Sequence, residues 1–371
     1  MTPRRAFLQA TMLAALAPML RVRAAETESH WPRYRNAIAI DGEAGLDLLR
    51  EDVDAKTIER DIAVARASGL TAILFQVTST RAGFQEAVDD LMRCRARAEA
   101  HPDAFLIVET SADLARAKRE GKLGLIFRFQ GAEPIGYDLD HVATFRKLGI
   151  RVVELTHNPR NLYGDGSTEP GNAGLSVLGR ALVERLNAER LVVDVAHGSQ
   201  STMKEGIEAS KAPVVISHSG CRALSDLPRL VGDAELKLMA DRGGVVGIMF
   251  WPYLTREGMP MAIDVIRHIE HAIDVCGEDH VGIGTDGAIA ATERTPDFEK
   301  QNLEVMKDTA AQGYFGEGRK PEGLYFFVPD LNAPDRFDLL AAKLSARGHS
   351  DARIEKILGG NFARVFAEIW G

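Results

Sequence analysis

The sequence predicts a closed (β/α)8 barrel on three observations. Eight short apolar, β-branched runs recur along the chain, segments of helical periodicity separate them, and run after run ends on a polar residue. Parallel strands buried on both faces tolerate polar side chains chiefly at their C-terminal tips, where the βα loops form a common mouth. A chain of 371 residues, 45% hydrophobic and 26% charged, has the length and composition for one such barrel with additions.

In order, the runs are AIAIDG (37–42), TAILFQV (71–77), LGLIFRFQG (123–131), IRVVELTHN (150–158), RLVVDVAHG (190–198), APVVISHSG (212–220), GGVVGIMFW (243–251) and HVGIGTDG (280–287). The first ends on Asp41 and Glu43, the second on Gln76, and the third on Gln130. The next three end on His157, His197 and His218, and the eighth on Asp286. Closure of the barrel is expected to bring these tips together although they lie far apart in sequence. Between the runs, segment 176–189 repeats leucine at 178, 182 and 186, a helical spacing, and segment 233–243 has the same character. Residues 288–335 break the rhythm and are expected to form a long loop with a helix, placed as a lid or a dimer contact. Within it, Phe315, Tyr325 and Phe326 are candidates for a partner face or for core, with core favoured. Residues 336–371 read as two closing helices.

The first 24 residues read as an export signal rather than as part of the fold. Arg4 and Arg5 precede a short apolar run, residues 10–20, and the small residues Ala24 and Ala25 follow. That run is shorter than the roughly 20 residues a spanning helix needs. The expectation is a twin-arginine signal over 1–24, a single barrel domain over 25–371, and a periplasmic location without a membrane span. Cleavage after Ala24 removes four arginines and no acid from a chain of net charge -8, leaving about -12. So acidic a chain argues against a nucleic-acid partner, which requires basic patches. Cys94, Cys221 and Cys276 are odd in number and widely spaced, and suggest neither a disulfide framework nor a Cys-rich zinc site.

A histidine at one strand end is commonly a hydrogen-bonded rim residue, but three on consecutive strands point to a shared ligand. His197 and His218 can meet one Zn²⁺ at ~2.0–2.1 Å, and a facing carboxylate, Asp286, can serve the water it polarises. No G-x-S-x-G elbow is present, and the glycines of GDGSTEPGNAG (164–174) follow no phosphate-loop spacing.

The stretches LGLIFRFQGAEPIG, LGIRVVELTHNPRN, GLSVLGRALVERLNAERLVVDVAHGS, APVVISHSGCRALSDLPRLV, GGVVGIMF, VGIGTDG and GGNFARVF, in that order, resemble the renal or membrane dipeptidase family, peptidase family M19, over roughly residues 35–370. The resemblance implies an amidohydrolase-type barrel that cleaves dipeptides with two zinc ions, and often a homodimer. It implies that His197 and His218 hold the second metal, and that His157 steadies the scissile carbonyl or its oxyanion. Arg229 would receive the terminal carboxylate of the dipeptide, for which a guanidinium fork is suited. Asp286 would handle the attacking water, the proton of the leaving amine or the substrate amino group.

Three ligand positions depart from that pattern. Where the family has His and Asp after the first strand, this chain has Glu43 and Gly45, and where it has a bridging glutamate this chain has Gln130. Leu230 also stands where the family usually has Asn. Glycine offers no ligand and a neutral amide bridges two dications poorly. The expectation is therefore one Zn²⁺ on His197 and His218, helped by Asp286, Gln130 or Glu43. The same substitutions also fit a barrel that has lost hydrolysis and serves ligand binding or maturation, or one acting on a related amide.

Overall fold

The computed structural model describes residues 30–50, 52–316 and 318–371; the expected signal at 1–24 lies outside them. Eight parallel strands close on themselves: β1 (Ile40–Asp41), β2 (Ala72–Gln76), β3 (Leu123–Phe129), β4 (Val152–Glu154), β5 (Val192–Asp194), β6 (Val215–Ser219), β7 (Val245–Ile248) and β8 (Val281–Ile283). Closure comes from β1, where Ile40 registers with Ala72 of β2 and Asp41 with Ile283 of β8. Each of the eight predicted runs contains one of these strands. An additional strand, Phe105–Ile107, pairs outside the ring with the start of β3, and two-residue strands Ala44–Gly45 and Gly287–Ala288 pair with each other. Among the described residues no helix is long and apolar enough to cross a membrane, and all three cysteines are free thiols.

The expected helices at 176–189 and 233–243 form as Val177–Ala188 and Asp233–Asp241. Ser176 caps the first by accepting from the Gly179 amide at 2.9 Å, and the helix buries Leu182 and Leu186. In the insertion, helix Pro296–Ala311 starts with proline in its first turn and Thr295 as its cap. Phe315 and Tyr325 are buried and Phe326 is half-buried against Trp251, so none of the three presents a partner face. At the C-terminus, Arg336–Ala346 is followed by Asp351–Glu355, a π-type segment Lys356–Gly360 and helix Asn361–Trp370. Glycine is required at 359, where a Cβ would lie 2.5 Å from the Ile40 amide nitrogen.

The barrel interior is layered because every second residue of a strand points inward. The lowest layer contains Ile40, Ala72, Leu74, Ile126, Val152, Val192, Val215 and Val245, and it packs on Phe362, Val365, Phe366, Ile369 and Trp370 of the last helix. Two residues further along four adjacent strands come Arg128, Glu154, Asp194 and Ser217, all buried and polar. The histidines lie above them. In β6 the pairing shifts between Ile216 and Ser219. Glycines 42, 247 and 284 surround the Ser217 carbonyl oxygen so closely that a Cβ at any of them would lie 2.0–2.2 Å from it. The irregularity breaks the strict alternation of β6, as bulges beside active sites do.

Candidate active site

The C-terminal ends of β3 to β8 and the insertion enclose a cavity of about 190 Å³ lined by Gln130, His157, Asn158, His197, Arg229, Trp251, Tyr253, Asp286, Thr309, Tyr314 and Phe326. It is smaller than the ~300 Å³ lower bound of drug-sized sites and suits a small ligand. Five of the seven site residues expected from sequence line it.

His197 and His218 face each other, with Nε2 atoms 2.9 Å apart. His197 Nδ1 donates to Asn158 Oδ1 at 2.8 Å, and the Ser167 hydroxyl donates to the same oxygen at 3.0 Å. An amide oxygen can only accept, so the proton of His197 is held on Nδ1 and the Nε2 lone pair points at His218. His218 Nδ1 is 2.8 Å from Ser217 Oγ. Two Nε2 atoms this close require a proton or a cation between them. Burial lowers the pKa of both imidazoles well below 6.5, and the positive charge of Arg229 acts in the same direction. Both are neutral near pH 7, the form that binds metals.

Gln130 Nε2 lies 3.2 Å from His218 Nε2, and a half-turn of the amide brings its oxygen there instead. Asp286 Oδ2 lies 3.9 Å from His218 Nε2. Asp286 adopts a left-handed backbone, φ 57°, uncommon outside glycine. The turn is fixed by its amide donating to the Glu43 carbonyl at 2.8 Å and by Trp251 Nε1 donating to its carbonyl at 2.5 Å. Burial, with Glu43 adding to it, raises the Asp286 carboxyl pKa to about 8. His157 stacks obliquely on His197, with centroids 4.3 Å apart. Its pKa falls to about 4, first from burial and then from Arg229.

Arg229 is buried beside the cavity, with Nη1 donating to the Ala196 carbonyl at 2.7 Å and Nη2 to the His218 carbonyl at 2.9 Å. It thereby ties together the ends of β5 and β6. The glycine-rich loop at 164–174 braces the same place: the Ser167 amide donates to the His197 carbonyl at 2.7 Å.

Three expected tips turn to partners outside the cavity. Asp41 is turned toward Thr285, accepting from its amide and hydroxyl at 2.7 Å each, and so joins the ends of β1 and β8. Gln76 donates to the Thr78 carbonyl at 2.8 Å on another part of the rim. Glu43, expected to assist at the metal, instead has Oε2 2.7 Å from Arg128 Nη1. Burial raises its pKa to about 7 although Arg128 opposes the rise.

Arg128, Glu154 and Asp194 lie outside the strand-end pattern that marks the other site residues. The signal was present: FRFQ places Arg128 two residues before Gln130, while Glu154 and Asp194 each precede a strand-end histidine by three. A charge in the middle of a strand buried on both faces requires a partner inside the barrel.

A closed parallel barrel with these groups gathered at its C-terminal rim defines an amidohydrolase-type protein. More narrowly, the chain belongs to the membrane dipeptidase family, peptidase family M19, which matches residues 34–300. It is 29% identical over 273 residues to a dipeptidase of Clonostachys rogersoniana, covering 73% of this chain and 62% of that protein. It is likewise 29% identical over 295 residues to a dipeptidase of Claviceps purpurea, covering 78% of this chain and 60% of the relative. The similarity thus spans about three fifths of the length of these curated relatives. Among solved structures, an amidohydrolase from Pseudomonas aeruginosa is 29% identical with a TM-score of 0.75, covering 91% of this chain and 98% of that one. A metallo peptidase from Rhodobacter sphaeroides, liganded with a phosphinate mimic of the dipeptide L-Ala-D-Ala, has the same fold at 21% identity and a TM-score of 0.71, covering 90% and 100% of the two chains.

Proposed function

We propose that this protein is a periplasmic hydrolase of dipeptides or closely related amides that uses one divalent metal, most simply Zn²⁺. The observation that carries the proposal is the His197–His218 pair: two neutral imidazoles with Nε2 atoms 2.9 Å apart beside a cavity of dipeptide scale. A tetrahedral ion with bonds near ~2.1 Å needs donors ~3.4 Å apart, so a small separation of the rings accommodates it. The donor set fits. His197 and His218 would hold the ion, with the Gln130 amide oxygen and Asp286 as neighbouring oxygen donors. When bound, the metal supplies Lewis acidity to the scissile carbonyl and lowers the pKa of water.

The remaining steps belong to the protein's own side chains. The neutral imidazole of His157 can donate a hydrogen bond to a carbonyl oxygen as negative charge develops there. Arg229 supplies positive charge on the side of the cavity where a substrate carboxylate would lie. With its raised pKa, Asp286 can hold a proton near neutrality and release it to a leaving amine, or take one from water. Trp251, Tyr253, Tyr314 and Phe326 wall the cavity and restrict water.

The test pairs zinc content of protein purified without chelator with hydrolysis of a dipeptide panel. About one zinc ion per chain with turnover, both lost in His218→Ala, is the expected result. Metal-free protein that binds dipeptides without cleaving them would replace the proposal with a binding role. The periplasmic part rests on Arg4 and Arg5 ahead of the apolar run at 10–20. Replacing both with lysine should retain the protein in the cytoplasmic fraction; unchanged export would remove the twin-arginine route.

A further inference from the structure

Below the histidine pair the barrel holds a cation of its own. Arg128 is fully buried, and its Nη1 lies 2.7 Å from Glu43 Oε2 while Nη2 lies 2.9 Å from Asp194 Oδ2. Nη2 also donates to Glu154 Oε2, and Nη1 donates to Ser217 Oγ at 3.0 Å. Ligand atoms of Glu154, Asp194 and His218 lie within 4.8 Å of one another. Carboxylates converging with an imidazole form, by donor chemistry, a site for a divalent ion. Here a guanidinium lies among the oxygens. Its positive charge is permanent, because arginine does not deprotonate in proteins.

We infer that Arg128 is a fixed, protein-borne cation that takes the place of a second metal ion and confines this barrel to a single divalent ion at His197 and His218. The inference deepens the one-metal reading above and gives Glu43, one of the positions that depart from the family pattern, its partner in the barrel interior. Charge points the same way, because Arg128 already places a positive charge against Glu43, Glu154 and Asp194, and a second divalent ion among them would set like charges together in a dry interior.

Arg128 also acts on the histidines through its partners and is in that sense a positioning residue. Ser217 Oγ contacts both Arg128 Nη1 and His218 Nδ1. Glu154, held by Nη2 through one oxygen, accepts from the His197 amide at 2.6 Å through the other.

Zinc bound per chain, measured by elemental analysis after equilibrium dialysis against Zn²⁺, tests the inference, with circular dichroism and melting as controls for folding. Wild type should bind one ion, Arg128→Lys one, and folded Arg128→Met one more than wild type, since the released carboxylates then form a second site. The triple variant Glu43→His, Gly45→Asp, Gln130→Glu, which restores family-type ligands but keeps Arg128, should still bind one. Two ions in wild type or in the triple variant, or no gain in folded Arg128→Met, would overturn the inference. If Arg128→Met does not fold, the triple variant decides the matter. Wild type with no zinc would sink the one-metal reading and its ion at His197 and His218, while a gain of one ion in Arg128→Met would still sustain Arg128 as the cation that keeps a metal from its carboxylates.

Discussion

His218 and Arg128 lie one layer apart in the same barrel, yet the sequence announces them unequally. A histidine ending an apolar strand draws attention because the strand tip is the ordinary place for a ligand. Arg128 sits mid-strand, where nothing in the one-dimensional pattern says whether its partners are solvent, a loop or other strands. Its importance follows from Glu43, Glu154 and Asp194, which come from three other segments of the chain. In metal-free protein, Arg128→Met leaves buried carboxylates without their cation and should lower unfolding free energy by ~3–5 kcal/mol, the usual cost of breaking a buried pair. Urea unfolding in the presence of chelator measures this; a loss below ~1 kcal/mol would show that the carboxylates find other partners. His157→Ala should leave zinc content unchanged and reduce kcat/KM by about 10²–10³-fold, the range for loss of a donor to an oxyanion. A parallel loss of metal would move His157 into the ligand set.

Among the elements, the insertion is the least legible in sequence and the closest to function. Its helix and its placement as a lid or a dimer contact were expected, but not that Thr309, Tyr314 and Phe326 are the residues that return to the mouth, because aromatic residues outside a periodic pattern carry no direction. Phe326→Ala removes the ring that packs at a tilt on Trp251, with centroids 4.1 Å apart. It should raise KM for dipeptides severalfold, more than it lowers kcat, in steady-state kinetics; an unchanged KM would place the ring outside the substrate's reach. Helix Ala262–Cys276 gives a pH-dependent prediction away from the site. His268 Nδ1 accepts from the Cys221 amide at 2.8 Å and Nε2 donates to the Leu254 carbonyl at 2.9 Å. Burial lowers its pKa from 6.5 to about 4. On acidification the unfolded chain takes up this proton near pH 6.5, while the folded chain refuses it until near pH 4, so stability falls as pH drops through that window. His268→Gln should remove ~2–3 kcal/mol of the stability lost between pH 7 and 4.5, read from urea unfolding at the two values. An unaltered pH slope would show that other groups govern acid unfolding.

At the scale of the molecule, the barrel has a floor made by its own C-terminus and a mouth narrowed by its insertion. Phe362, Val365 and Phe366 lie against the lowest inward layer. Phe362→Ala should cost ~3–5 kcal/mol, as large-to-small changes in cores do, without changing zinc content per folded chain. A loss near zero would mean that the last helix is an accessory rather than the floor.

The number of strands, their order and the ends that carry chemistry were written in the sequence, because burial on both faces forces apolar β-branched runs and pushes polar atoms to the tips. His157, His197, His218, Gln130 and Asp286 were legible for that reason, and Arg229, in the loop after β6, only through the family resemblance. What only the tertiary structure decided was where charges meet: Asp41 turns to Thr285, Gln76 faces another part of the rim, and Glu43 joins Arg128 below the histidines. Periodicity records whether a side chain is buried but not which distant strand lies opposite it, and closure of the barrel is what selects the partner.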